Sequence, residues 1–442
     1  MQWFYNMSLA LSIIIAKVSK FILSIFNKRG GSLPGRLGML ICNNPISKIK
    51  LPSTVIIITG TNGKTTTTNL MYQVLKRHYP KVVGNIGGDN LLNGITTTLL
   101  TNANIKGEIK ADALVLEVDE LSVPNIIKNL KVSHLLVNNL FRDQLDRAGE
   151  METVIRKLSN AINDYQGILI LNGDDPNVSR LGYHKNNAIY FKANKYHNSK
   201  TSIDEVLEGK FCFNCKKELK YDYYQYSHIG NFKCDNCDFG EFKATIYGEI
   251  LNDDASLFSC DNYTFNNPYN TIYSLYNCLA IITIGNNLKI ANDTINSAFK
   301  SFKMNDGRME EFKLNRSIIL NLIKNPTGAN EVIKYVNTST NKKDILIVLN
   351  DNDQDGIDVS WIYDVKFEML IESNVENIIC SGTRAYDIAI CLKYNNYTNN
   401  LIVIEDLDDA TLKMLDYDNE AYALVTYTAL QKTRKSLKRL IK

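Results

Sequence analysis

A glycine-rich segment early in the chain has the residue types of a phosphate-binding loop. It reads Gly60-Thr61-Asn62-Gly63-Lys64-Thr65-Thr66. The glycines let backbone N–H groups turn toward an anion, the lysine reaches the β- and γ-phosphates, and the threonine after the lysine ligates Mg²⁺. The common motif has a further glycine where this chain has Ile58, so the sequence predicts a variant nucleotide-binding loop. A tight connection without a ligand is the alternative.

The elements on either side of this loop suit the same chemistry. Residues 54–58 are apolar and β-branched, which predicts a buried strand. Leu70, Val74 and Leu75 then recur at helical spacing. The loop is therefore expected at the end of a strand and the beginning of a helix, where backbone N–H groups point at a bound phosphate.

A second strand pattern ends in carboxylates. Residues 113–116 are apolar and are followed by Glu117, Asp119 and Glu120. Ligands of parallel α/β sheets lie at the carboxyl ends of the strands, so Glu117 is predicted to hold Mg²⁺ directly or through water. Glu120 is interpreted as a solvated strand end. Further strands alternate with helical segments, which predicts a doubly wound, mostly parallel sheet.

Two C-x-x-C pairs have the spacing of a structural zinc site. They are Cys212 with Cys215 and Cys234 with Cys237. Four thiolates complete a tetrahedron and leave no open position, so the metal is expected to be structural. The duplication argues against a redox dithiol. The net charge of +3 and the acidic residues Asp222, Asp235 and Asp238 argue against a nucleic-acid-binding ribbon.

Length and composition indicate a cytoplasmic protein of two or three domains, with 442 residues and nine cysteines but no convincing secretory signal. Residues 1–16 are uncharged and largely apolar, but Lys17 and Lys20 interrupt the run before it is long enough to span a bilayer. We expect a helix packed on its own protein, with a helix lying on a membrane surface as the alternative and no integral membrane segment. Residues 30–36 have the composition of a loop.

Several segments together resemble the Mur ligase family of ATP-dependent carboxylate–amine ligases in peptidoglycan synthesis. They are the 60–67 loop, Glu117 at a strand end, residues 139–147 and Asn172-Gly173-Asp174-Asp175-Pro176. The resemblance implies that ATP phosphorylates a carboxylate and an amine attacks the acyl phosphate. It also implies nucleotide contacts for Asn277, Arg308 and Asn325. A surface ion pair with Glu310 or Glu311 is the alternative for Arg308.

The C-terminal third and the four-cysteine insertion resemble the MurT branch of that family. The segments are Lys324-Asn325-Pro326, residues 355–361 and residues 381–384. The branch pairs with a GatD-type class I glutamine amidotransferase, whose ammonia amidates the α-carboxylate of D-glutamate in the lipid II stem peptide. The resemblance also implies an aspartate lent to the partner's Cys-His pair. Asp355 is the first candidate, followed by Asp351, Asp353 and Asp358.

The expected architecture follows from these segments. Residues 1–50 form an N-terminal helix and linker. Residues 51–305 form the central ATP-binding domain, with the zinc ribbon inserted at about 205–245, and residues 306–442 form a Rossmann-like α/β domain that contacts the glutaminase. An amino-acid-adding Mur ligase and a non-catalytic nucleotide-binding scaffold are the alternative functions.

Overall fold

The computed structural model describes residues 2–26, 30–142, 151–203, 208–303, 309–352 and 354–440. These residues divide into two compact units. The first contains the described residues up to Phe141 and Met151–Phe302, and the second contains Arg142 and the described residues from Lys303 onward.

A nine-stranded sheet forms the centre of the first unit, in the order β11-β10-β9-β6-β5-β4-β1-β3-β2. Seven strands are parallel: β9, β6, β5, β4, β1, β3 and β2. The last two strands pair antiparallel, β10 with β9 and β11 with β10. The sheet strands are β1 Thr54–Thr59, β2 Val82–Gly84, β3 Ala113–Glu117, β4 His134–Val137, β5 Ile168–Asn172, β6 Ala188–Ala193, β9 Ile246–Ile250, β10 Leu257–Cys260 and β11 Tyr263–Asn266. A separate hairpin pairs β7 Lys220–Tyr226 with β8 Ile229–Lys233.

Helices cover this sheet, so its central strands are apolar on both faces. They are α1 Gln2–Ile25, α2 Leu33–Ile41, α3 Lys64–His78, α4 Leu92–Asn102, α5 Val123–Asn129, α6 Met151–Ile162, α7 Pro176–Ser179, α8 Ile272–Asn287 and α9 Asn292–Ser301, with 3₁₀ turns at Pro45–Lys48 and Arg180–Gly182. Residues 55–58 of β1 are completely buried. A continuous apolar run is the pattern expected of a parallel strand buried on both faces.

The N-terminal helices differ from the sequence-based expectation. Helix α1 extends to Ile25, because the lysines at 17 and 20 interrupt the apolar run without disfavouring helix. The run was expected to be too short to span a bilayer, but Met7–Ile25 is long and apolar enough to do so by length and composition. Residues 30–36 are not entirely a loop, since α2 begins at Leu33 with Pro34 in its first turn. Proline is well tolerated there, where its missing N–H would have no partner within the helix.

The second unit contains a six-stranded sheet in the order β12-β13-β17-β14-β15-β16, parallel except for β12. Its strands are β12 Glu310–Lys313, β13 Ser317–Leu322, β14 Lys343–Val348, β15 Val375–Ser381, β16 Asn400–Val403 and β17 Glu420–Val425. Its helices are α10 Pro326–Val336, α11 Glu368–Ile371, α12 Ala385–Tyr394, α13 Leu407–Met414 and α14 Tyr427–Leu440, with a 3₁₀ turn at Ser360–Asp364. The predicted α/β fold class is confirmed in both units.

Candidate functional site

The loop between β1 and α3 requires glycine at two positions. Gly60 has a φ of +137° and Gly63 has a φ of +79°, values that favour glycine. A Cβ on Gly63 would also lie 2.8 Å from Oδ1 of Asn277, and a Cβ on Gly60 would lie 3.0 Å from the backbone of Asn139. Backbone conformation and close packing therefore both fix the shape of this loop.

Asn139, just beyond β4, holds the loop in place. Its carbonyl accepts from the N–H of Thr61 at 2.9 Å, and its Oδ1 accepts from the N–H of Asn62 at 2.8 Å. Its Nδ2 donates to the carbonyl of Asn62 at 2.9 Å. The sequence placed Asn139 in the Mur-like pattern without a role. The structure gives it the role of shaping the loop from the neighbouring strand.

Lys64 begins α3 and is buried against the loop. Its Nζ donates to the carbonyl of Gly60 at 2.5 Å and to the carboxylate of Glu120 at 3.1 and 3.2 Å. The interpretation of Glu120 as a solvated strand end is therefore wrong, because this side chain is buried. Its carboxylate compensates the ammonium charge, which would otherwise be costly to bury.

Thr65 and Glu117 meet beside the lysine. Thr65 Oγ1 lies 3.1 Å from Glu117 Oε1, which also accepts from Nδ2 of Asn90 at 2.9 Å. Asn85 fixes the backbone of Glu117, accepting from its N–H at 2.7 Å and donating to its carbonyl at 2.8 Å. A hydroxyl and a carboxylate side by side are the hard oxygen ligands that suit Mg²⁺.

Asn277 and Thr66 complete the predicted set within the first unit. Asn277 lies on the buried helix α8, and its Oδ1 accepts from Nδ2 of Asn138 at 2.7 Å. Thr66 is buried in the first turn of α3. The structure thus brings together the glycine loop, Lys64, Thr65, Glu117 and Asn277 around the carboxyl ends of β1, β3 and β4.

The remaining predicted nucleotide contacts belong to other parts of the chain. Asn325 is the N-cap of α10, and its Oδ1 accepts from the N–H of Gly328 at 2.8 Å. Arg308 lies outside the described residues.

The aspartates after β14 differ in exposure. Asp355 is buried and accepts from the N–H of Thr428 at 2.7 Å and from the hydroxyl of the same residue, at the beginning of α14. Asp351 is partly exposed and accepts from Thr383 Oγ1 at 2.8 Å. Asp358 is exposed, and hydrogen bonds from Ser360 lower its pKa, with a smaller contribution from Arg142. Asp353 lies outside the described residues.

The four cysteines come together beside the β7–β8 hairpin. The Sγ atoms of Cys212, Cys215, Cys234 and Cys237 all lie within 4.8 Å of one another. The backbone N–H of Lys217 lowers the pKa of the Cys215 thiol to about 6, whereas burial raises that of Cys212 to about 12. Four sulfur ligands gathered at this separation fit a tetrahedral zinc ion.

Two aspartates of the 172–176 segment form a buried network that sequence reasoning left without a role. Asp174 accepts from the hydroxyl of Tyr276 and from the N–H of Ala193, both at 2.8 Å, and burial raises its pKa. Asp175 caps α7 and lies 3.3 Å from Nε2 of His228 in the hairpin turn. Asp before Pro is a readable N-cap signal, but only the fold reveals the ion pair.

Comparisons with known proteins identify the family of the chain. The Mur ligase middle domain matches residues 58–237, and the MurT ligase C-terminal domain matches residues 322–430. The MurT subunit of lipid II isoglutaminyl synthase from Staphylococcus aureus strain N315 is 33% identical over 97% of this chain and 97% of its own length. The subunit of that name from Streptococcus pneumoniae is 31% identical over 98% and 97%.

Solved structures share the fold. A pseudomurein peptide ligase type C from Methanothermus fervidus has a TM-score of 0.70 at 21% identity, over 90% of this chain and 80% of its own. MurF from Acinetobacter baumannii has a TM-score of 0.63 at 15% identity, over 92% and 80%. The predicted Mur ligase resemblance is confirmed, and the chain belongs to the MurT family of ligase-type subunits.

Proposed function

We propose that the chain is the ATP-dependent subunit of a lipid II isoglutaminyl synthase. It amidates the α-carboxylate of D-glutamate in the lipid II stem peptide to D-isoglutamine, with ammonia from a partner that hydrolyses glutamine. One observation carries the proposal. The chain matches MurT subunits over nearly its whole length, and Lys64, Thr65 and Glu117 lie together beside its glycine-rich loop.

The reaction needs an activated carboxylate, because a carboxylate is a poor electrophile. Its oxygen attacks the γ-phosphorus of ATP, ADP leaves, and ammonia then attacks the acyl carbon and displaces phosphate. Lys64 and the N–H groups of the loop stabilise the charge on the phosphate oxygens. Thr65 and Glu117 would hold Mg²⁺, which neutralises charge on the phosphates. Asn277 is proposed to contact the nucleotide, and Arg308 and Asn325 keep the same proposed role through the family resemblance.

The partner is proposed to be a GatD-type class I glutamine amidotransferase that forms a heterodimer with this chain. The support is that the relatives are named as subunits of a glutamine-hydrolysing enzyme. An aspartate from the loop after β14 is proposed to assist the partner's Cys-His pair. Asp355 keeps this assignment from the sequence. Asp351 and Asp358 are more exposed, so they are the alternative candidates for the role.

The four-cysteine centre is proposed to hold a structural Zn²⁺, since four thiolates leave no position for a substrate. The protein is proposed to work in the cytoplasm, peripheral to the membrane in which lipid II lies.

ATP hydrolysis that depends on substrate tests the ligase assignment without the partner. The purified chain, detergent-solubilised lipid II, MgATP and an ammonium salt should release ADP only when lipid II and ammonium are both present. ADP release that requires an amino acid instead would indicate an amino-acid-adding ligase. No release under any condition, with a partner that is active as a glutaminase, would indicate a non-catalytic scaffold.

A further inference from the structure

The N-terminal helix α1 has apolar residues on two opposite faces. Its inner face is buried against α2 and α4, and Ser12 Oγ there donates to the carbonyl of Gly38 at 2.9 Å. Leu9, Ile13 and Ala16 are also buried on this face. The outer face carries seven apolar side chains that are 44–67% exposed: Met7, Leu11, Ile14, Val18, Phe21, Ile22 and Ile25.

The exposed side chains form one continuous stripe along the helix. Apart from the adjacent pair Phe21 and Ile22, they recur at steps of three or four residues, which keeps them on one side of an α-helix. At 1.5 Å per residue the stripe is about 27 Å long. Soluble proteins rarely leave an apolar surface of this length uncovered, so a binding partner is expected for it.

The charge of the surrounding sequence identifies the chemistry of that partner. Residues 1–50 contain seven lysines and arginines and no aspartate or glutamate, and the first acidic residue of the chain is Asp89. The whole chain has a net charge of only +3, so residues 1–50 are more basic than the chain as a whole. Lys17 is exposed on α1 and lies three residues after Ile14 of the stripe. Lys20 is also exposed, but its Nζ donates to Oγ1 of Thr101 on α4 at 3.4 Å, so it lies toward the inner face.

Helix α2 repeats the same combination. Leu33, Arg36 and Leu40 are exposed and lie three and four residues apart, on one face of that helix. Apolar side chains next to lysine and arginine are typical of helices that lie in the interface of an anionic bilayer.

We propose that the outer face of α1 lies in the headgroup region of an anionic lipid bilayer, parallel to the membrane. The inference rests on the proposed function in one respect. A lipid-linked substrate requires contact with the membrane, and the inference assigns that contact to this surface. Length and composition would let residues Met7–Ile25 span a membrane. Spanning would remove the Ser12–Gly38 hydrogen bond and the packing of the inner face, and it would place Lys17 and Lys20 in hydrocarbon.

Vesicle co-sedimentation of the full chain, co-purified with its partner, tests this assignment. Wild type should bind vesicles of phosphatidylcholine and phosphatidylglycerol more tightly than vesicles of phosphatidylcholine alone. Val18→Gln with Phe21→Gln should weaken binding by about tenfold or more. Lys17→Gln should cost about fivefold on anionic vesicles and leave binding to neutral vesicles unchanged. Lys20→Gln should have a smaller effect, because this side chain lies toward α4.

Ile390→Gln with Tyr394→Gln is the matched control. These side chains are 60% and 82% exposed on α12 in the second unit, so the control makes the same chemical change elsewhere. It should bind vesicles like wild type. Equal vesicle binding by wild type and the Val18/Phe21 variant would overturn the proposal.

A second outcome would assign the surface to a protein instead. If wild type ignores vesicles and the Val18/Phe21 variant changes the sedimentation mass of the complex, the stripe is a protein interface and the proposal fails. Amidation of detergent-solubilised lipid II separates this result from the proposed function. The Val18/Phe21 variant should keep this amidation activity. If wild type lacks the activity, that result counts against the ligase assignment and not against the membrane contact.

Discussion

Nζ of Lys64 lies 3.1 Å from Oε2 of Glu120, and the two side chains are only 8% and 11% exposed. A buried ammonium on the glycine-rich loop is thus compensated by a carboxylate of the same unit. The pair orders the lysine beside the loop, and the same ammonium is the group proposed to bind the phosphates of ATP.

Lys64→Ala should abolish ATP-dependent amidation, because the variant loses the cation proposed to stabilise the transferring phosphoryl group. We expect a loss of at least about 10²-fold in kcat. The complex with the partner should still assemble, as measured by gel filtration. Lys76→Ala, on the exposed face of the same helix, is the control and should keep full activity. Full activity in Lys64→Ala would refute the proposed site.

Glu120→Gln should lower the free energy of unfolding of the nucleotide-free protein by about 3 kcal/mol, because the buried Lys64 ammonium loses the carboxylate charge of Glu120. MgATP should recover much of this loss, since the phosphates supply negative charge to the same ammonium. Thermal unfolding with and without MgATP measures both effects. If MgATP leaves this loss unchanged, the Lys64–Glu120 ion pair is not part of the nucleotide site.

Cys212→Ser should lower the zinc content of the purified protein and destabilise the segment around the β7–β8 hairpin, because a tetrahedral site loses one of four ligands. Zinc content is measured by mass spectrometry of the metal. Cys42→Ser changes a buried cysteine outside the cluster and should keep its zinc. Normal zinc stoichiometry in Cys212→Ser would contradict the four-cysteine assignment.

His228 should make stability depend on pH. Burial lowers its pKa, but attraction to Asp175, with a smaller contribution from Glu208, outweighs burial and raises the pKa above the ordinary value of 6.5. Its contribution to stability is therefore present below the unfolded-state pKa and is lost as pH rises through the folded-state value. Urea unfolding between about pH 6 and about pH 9 should show a larger decline for wild type than for His228→Gln. His78→Gln, an exposed histidine, should behave like wild type.

Asp355→Asn should reduce glutamine-dependent amidation much more than ammonia-dependent amidation, if this aspartate serves the partner's glutaminase site. Asp351→Asn and Asp358→Asn are measured in parallel, because both side chains are more exposed than that of Asp355. An equal loss of both activities in Asp355→Asn would mean that its bonds to Thr428 stabilise the loop or that it acts in ligation.

The strand, loop and helix around Lys64 could be predicted from the sequence, because the spacing of apolar residues and the positions of glycines are local properties. The burial of Glu120 could not be predicted from the sequence, because it depends on how the chain after β3 folds back toward α3. Similarly, Asp175 signals an N-cap, but its pairing with His228 depends on where the β7–β8 hairpin packs. The apolar run of α1 was expected to end too early to span a bilayer, but Lys17 and Lys20 interrupt the run and not the helix, and Met7–Ile25 is long and apolar enough by length and composition.

Mass spectrometry of lipid II tests the central claim most directly, after incubation with this chain, a co-expressed GatD-type partner, MgATP and glutamine. The account predicts a slight decrease in mass, because amine replaces hydroxyl on the α-carboxylate of D-glutamate, and this decrease should be absent with Lys64→Ala. An unchanged lipid II mass in the presence of an active glutaminase, or the gain of a whole amino-acid residue, would contradict it.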